Sequence, residues 1–128
     1  MNKISTGKKL TLITLGLIIA FILLEMGLRF AGFVSLSIQE CANQKSLRQK
    51  GSYRIMCVGE STTALGDEDS YPSQLERILN QLNLGIKFSV INKGVCSVTT
   101  SFILANIESY LDIYKPDMVI TMIGINDT

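Results

Sequence analysis

The residues best suited to chemistry lie in Arg54–Thr63, which reads Arg-Ile-Met-Cys-Val-Gly-Glu-Ser-Thr-Thr. A short apolar run, Ile55 to Val58, stops at Gly59, and Ser61 follows two residues later. Such a run closed by glycine predicts a buried parallel strand entering a turn. In open α/β sheets the reacting groups sit just past the carboxyl ends of the strands. Ser61 therefore stands where a nucleophilic hydroxyl would stand. A serine hydroxyl is a poor nucleophile until a base takes its proton, and histidine is the usual base. The chain has no histidine, so it cannot by itself hold a complete Ser-His-Asp triad. The alternative is purely structural: Glu60, Ser61 and Thr62 cap a helix that follows the strand.

The elements that must position Ser61 alternate from Tyr53 onward. Arg54–Val58 is the first predicted strand, and Gly59–Asp69 a loop rich in Ser, Thr, Gly and Asp. Ser70 can cap a helix with Pro72 in its first turn. Leu75, Ile78, Leu79 and Leu82 share one face of it, and Leu84-Gly85 breaks it. Ile86–Ile91 is the second strand, followed by the loop Asn92-Lys93-Gly94. Thr99 or Thr100 opens a second helix with Ile103, Ile107, Tyr110 and Tyr114 roughly on one face, and Lys115-Pro116 ends it. Asp117–Ile123 is the third strand, and Gly124-Ile125-Asn126-Asp127 the third loop. Right-handed crossovers make this βαβαβ order a parallel sheet with all three loops at one edge. Read singly, Gly94 is a turn glycine, and Asn126 is a turn residue whose side chain bonds its own backbone.

The amino-terminal part is of another kind. Lys3, Lys8 and Lys9 make residues 1–9 a basic leader. Leu10 to Val34 is apolar apart from Glu25 and Arg29, and about 25 residues suffice to cross a bilayer with some tilt. Glu25 and Arg29 are four apart and would pair on one helix face. The preferred reading of residues 10–34 is a transmembrane signal anchor. The uncharged part, about 15 residues, also has the length of a cleaved signal peptide, and a buried helix of a soluble protein is the third reading. No small-x-small cleavage site follows, and Cys41 is preceded by Ile38-Gln39-Glu40, unlike a lipoprotein signal. Three lysines before the span favour a cytoplasmic amino terminus. The chain is then single-pass in the cytoplasmic (inner) membrane, with the domain on the extracytoplasmic side. Lys45, Arg48 and Lys50 beyond the span weigh against that orientation. Residues 35–52 are polar and mixed and read as a tether, with room for a helical turn that packs on the domain.

Composition sets further bounds. With 128 residues there is room for one small domain, and 47% hydrophobic against 18% charged residues exceeds an ordinary soluble chain. A net charge of +1 offers no electrostatic case for nucleic acid. Cys41, Cys57 and Cys96 lack Cys-x-x-Cys spacing and have no histidine to join them, which argues against structural zinc. Cys57 falls in a predicted strand as a small core residue, and Cys41 and Cys96 could pair in an oxidising compartment. Neither a metal nor an organic cofactor is expected.

Taken together, Gly59-Glu60-Ser61-Thr62, Asn92-Lys93-Gly94 and Gly124-Ile125-Asn126-Asp127 resemble, in order and spacing, the first three blocks of the SGNH hydrolases, or GDSL esterases. The resemblance runs from Tyr53 to Thr128 and implies a flavodoxin-like three-layer α/β/α sandwich. It makes Ser61 the nucleophile and an oxyanion N–H donor, Gly94 an oxyanion N–H donor and Asn126 the oxyanion side chain. The apolar leader also looks like that of membrane-anchored members. The family's first block usually has aspartate where Glu60 stands, and little mechanistic effect is expected from the change. The family's acid and base lie in an Asp-x-x-His block near its carboxyl terminus. Asp127 is not that acid, no such block occurs here, and residues 53–128 read as the amino-terminal half of the domain. Lys93, beside Gly94, would be mostly protonated near the ordinary lysine pKa of about 10.4 and unfit as a base.

In the flavodoxin order the first strand is central and the third is left as an apolar edge, open to aggregation. Two functions follow. The first is a membrane-anchored ester hydrolase, inactive or nearly so as these 128 residues, acting in full on a small ester or an acylated glycan or lipid. The second is a non-catalytic, truncated single-pass membrane protein. A nucleotide-binding α/β domain is disfavoured, because Gly59-Glu60-Ser61-Thr62 lacks the glycine spacing of a phosphate loop.

Overall fold

The structure is a computed structural model and describes residues 6–127; Lys3 of the basic leader and Thr128 lie outside them. Helix α1 spans Thr6–Leu47. Strand β1 (Tyr53–Gly59) leads into the short helix α2 (Ser61–Ala64), a 3-10 turn (Asp67–Asp69) and helix α3 (Tyr71–Gln81). Strand β2 (Phe88–Gly94), helix α4 (Thr100–Tyr114) and strand β3 (Met118–Met122) complete the order. The chain divides into two compact units, residues 1–38 and residues 39–128.

In the first unit α1 is apolar and exposed from Leu10 to Val34 and is long enough to cross a membrane. Glu25 and Arg29 form the predicted i,i+4 pair, with Arg29 Nε 2.7 Å from Glu25 Oε1.

In the second unit three strands form one parallel sheet in the order β2-β1-β3. The apolar run of β1 explains its central place: Ile55, Met56, Cys57 and Val58 are all buried. Burying each such side chain contributes about 1.5–3 kcal/mol. Their alternation feeds two cores. Met56 and Val58, with Ile91, pack against Ile103 and Tyr114 of α4 and against Leu47 of α1. Ile55 and Cys57, with Val90, pack against Tyr71, Leu75 and Leu79 of α3. The result is the expected α/β/α layering, with β1 central and β3 at an edge.

Several boundaries differ from the sequence reading. The segment 35–52, read as a tether, stays helical to Leu47, and the compact α/β unit begins at Gln39 rather than Tyr53. Gln39, Asn43 and Leu47 recur every four residues, so one face of α1 can lie against the domain. Asn92-Lys93-Gly94, read as a loop, belongs to β2, because it pairs in register with Cys57, Val58 and Gly59. Ser70 occupies the cap position of α3, but its hydroxyl donates to Asp67 O at 2.7 Å instead of accepting from the helix. All three cysteines are free, with Cys57 buried and Cys41 and Cys96 exposed.

Candidate active site

Ser61 is the first residue of α2 and is half-buried at the carboxyl end of β1. Glu60 turns the chain in an extended conformation, and its carbonyl accepts the Thr63 and Ala64 N–H groups at 3.0 Å each. A helix does follow the strand at once, as the capping alternative anticipates, but the cap is backbone only. Two glycines let α2 sit down on the sheet. A Cβ on Gly59 would lie 2.6 Å from Met122 O and would overlap Thr63 Oγ1. A Cβ on Gly94 would lie 2.6 Å from both Ala64 Cα and Thr63 C. At Gly94 the close neighbour is therefore the backbone of the helix that carries Ser61.

The three strand ends are laced together by side chains. Asn92 Nδ2 donates to Thr63 O at 2.9 Å, and Asn92 Oδ1 accepts the Gly94 N–H at 2.9 Å. Glu60 is 1% exposed, and its carboxylate accepts the Gly124 N–H at 2.8 Å and the Asn126 N–H at 3.2 Å. A buried carboxylate is tolerable only with such partners. Asn126 is exposed, and its Nδ2 donates to Val98 O at 3.0 Å. Asp127 Oδ1 accepts the Thr100 N–H at 2.8 Å, supplying the first turn of α4 with an acceptor from the neighbouring loop.

The structure thus places Ser61, Gly94 and Asn126 at the carboxyl ends of three adjacent parallel strands. The Gly94 N–H is engaged by Asn92 Oδ1, and the exposed Asn126 amide gives one of its two N–H groups to Val98 O. Glu60, expected to matter little, is the buried link between the Ser61 turn and the Asn126 loop. An acid directly behind a strand-terminal glycine was its visible signal. Asn92 was seen only as a loop residue, yet it ties Gly94 to α2. Lys93 faces elsewhere: its Nζ lies 3.3 Å from Glu40 Oε2 and 3.2 Å from the Tyr114 hydroxyl, and 4.6 Å from the centre of the Tyr110 ring. Among the described residues no three His, Cys, Asp or Glu side chains gather as a metal site requires.

No protein-family model and no curated protein matches the chain. Among solved structures it is similar to AlinE4, an SGNH-hydrolase family esterase, at 34% identity and a TM-score of 0.54, over 62% of this chain and 43% of that one. Two variants of that esterase, one with an aspartate and one with a serine replaced by alanine, match over the same shares at 34% and 33% identity. The chain spans 43% of the length of the esterases it matches. The parallel sheet, its helices and these similarities give the second unit the α/β fold of the SGNH hydrolases.

Proposed function

We propose that this chain carries the nucleophile and oxyanion elements of an SGNH-type ester hydrolase held at a membrane by α1. The observation that carries the reading is the arrival of Ser61, Gly94 and Asn126 at one sheet edge, on a fold shared with an esterase. Ser61 Oγ would bond to the ester carbonyl carbon while a base removes its proton. The developing oxyanion would take the Ser61 and Gly94 N–H groups and the Asn126 amide. Collapse would expel the alcohol, and water would then release the acid. One such donor is worth about 2.7–4 kcal/mol of barrier. The Gly94 N–H would have to exchange its present acceptor, Asn92 Oδ1, for the substrate, whereas the Asn126 amide has a second N–H beside the one given to Val98 O.

With no histidine in the sequence, the base has to come from outside these 128 residues. That absence favours the second reading, a non-catalytic single-pass membrane protein. The substrate would be a small ester or an acylated glycan or lipid, and an extracytoplasmic position leans toward envelope sugars or lipids. An impermeant maleimide applied to intact cells tests the side: labelling of exposed Cys41 supports it, and intact but unlabelled protein rejects it.

The chemical test is fluorophosphonate labelling of the full chain in detergent, with and without a high concentration of imidazole as a diffusible base. The expected result is no labelling alone and imidazole-dependent labelling abolished by Ser61→Ala. Absence of labelling in both conditions would reject Ser61 as the nucleophile. Strong labelling without imidazole would show that a base is already present.

A further inference from the structure

Residues 39–47 of α1 contribute more to the α/β unit than apolar cover. Asn43 is 3% exposed, and its amide pairs with the backbone of Asn92 much as a neighbouring strand would. Asn43 Nδ2 donates to Asn92 O at 2.8 Å, and Asn43 Oδ1 accepts the Asn92 N–H at 3.0 Å. One turn earlier, Gln39 Nε2 donates to Asn92 O at 2.8 Å and to Gly94 O at 3.0 Å. Asn92 is the residue whose side chain holds both Thr63 O, on the Ser61 helix, and the Gly94 N–H. A shift of its backbone moves the nucleophile helix and the oxyanion glycine together.

Resting on the hydrolase reading above, we propose that Asn43 and Gln39 are positioning residues of the oxyanion hole. They fix the Asn92 backbone, and through the Asn92 side chain they set Gly94 against Ser61. Neither touches substrate. Oxyanion donors act only when held in place before the charge develops, and Gly94 sits at the last residue of an edge strand. Two amide side chains on that edge supply the rigidity a second neighbouring strand would otherwise give. The segment that follows the apolar span is on this view part of the site's scaffold.

The test uses the full chain in detergent and two readouts: residue-resolved amide exchange, and the rate of imidazole-dependent phosphonylation of Ser61. Asn43→Leu keeps the size and removes both hydrogen bonds. A buried group left without its partner corresponds to about a tenfold change or more. Exchange at Asn92 and Gly94 should rise by about that factor and phosphonylation should fall by about as much, while Met56 in the centre of the sheet keeps its protection. Gln39→Met should give a smaller fall in phosphonylation, and Gln39→Lys, which restores a donor to the two carbonyls, should recover it. Faster Asn92 exchange with unchanged phosphonylation would overturn the proposal and leave the contacts as an edge seal. Failure of Gln39→Lys to recover the rate would do the same. If Asn43→Leu does not fold, the two Gln39 variants decide. If the unmodified chain is never phosphonylated, the hydrolase reading fails by itself. Unchanged Gly94 exchange in Asn43→Leu would then still overturn the coupling, whereas raised exchange would uphold it.

Discussion

Along the outer edge of β2, side chains take the backbone groups that a further strand would use. Asn80 accepts from the Phe88 N–H and donates to Phe88 O, both at 3.0 Å. Glu76 Oε2 accepts the Val90 N–H at 2.6 Å, and Asn43 and Gln39 engage Asn92 and Gly94. Along β3, at the other edge, no such partners occur among the described residues, and Met118 and Met122 are 46% and 42% exposed. A bare apolar edge is a template for another strand, and natural proteins ordinarily blunt it. Here one edge is closed by four polar side chains from two helices, and the other is left ready to pair.

The largest effect should come from the closed side. Gly94→Ala would drive a methyl group into the Ala64 and Thr63 backbones, neither of which can swing away as a side chain would. We expect a loss of at least about 3 kcal/mol, the upper end for overpacking, measured by denaturant unfolding. A loss under about 1 kcal/mol, the lower end of that range, would mean that α2 is not seated on β2 as described.

Glu60→Gln comes next, and it probes how the open side is tied to the centre. Its carboxylate serves two N–H groups, and an amide can accept from only one of them while presenting N–H to the other. Hydrogen bonds to a charged group are worth about 1.5–3 kcal/mol each, so a loss of about 2 kcal/mol is expected. Exchange should quicken at Gly124 and Asn126 and stay unchanged at Asn92. Equal quickening at both ends would dissolve the distinction between the two sides.

A smaller effect is expected at Tyr114, whose hydroxyl donates to both Glu40 oxygens, at 2.8 and 2.7 Å. Tyr114→Phe keeps the buried ring and should cost about 1 kcal/mol in thermal unfolding. Burial pushes the Glu40 carboxyl up, but hydrogen bonds from Gln44 and Tyr114 and the nearby Lys93 charge outweigh it and leave it below its usual range. A carboxylate lowered by folding adds stability above its unfolded pKa and loses it as pH falls through the folded value. Acidification should therefore loosen the closed side, and Tyr114→Phe should make that loss shallower. An identical acid profile in both proteins would remove Glu40 from the account.

Much of this was legible in the sequence, for reasons that differ by residue. The β1 run, the one-faced helices and the strand-end position of Ser61, Gly94 and Asn126 follow from period and punctuation, which are local. Asn92 and Lys93 hid their strand because their polar types suit a loop, and only pairing with Cys57 and Val58 makes them extended. Residues 39–47 hid their helix because hydropathy falls after Val34, although Gln39, Asn43 and Leu47 keep helical spacing. For Glu60 only its place directly behind Gly59 is local; what it binds is not, since its partner Asn126 is 66 residues away. Contacts of that reach depend on the sheet having formed.

The mildest change tests the open edge directly. Val119 pairs with Met56 across β1 and β3, yet Met56 is fully buried while Val119 is 38% exposed. A lysine at Val119 can run its stem along the apolar surface and leave its ammonium in water. Val119→Lys should therefore change unfolding stability by no more than about 0.5 kcal/mol, as surface changes do. It should also reduce self-association in sedimentation, because a charge on an edge strand opposes pairing with another chain. Ile91→Lys, on the closed side and wholly buried, should prevent folding, since an unpaired buried ammonium has no compensating partner there. If Val119→Lys proved as damaging as Ile91→Lys, β3 would have to be covered in solution, and the asymmetry between the two edges would be gone.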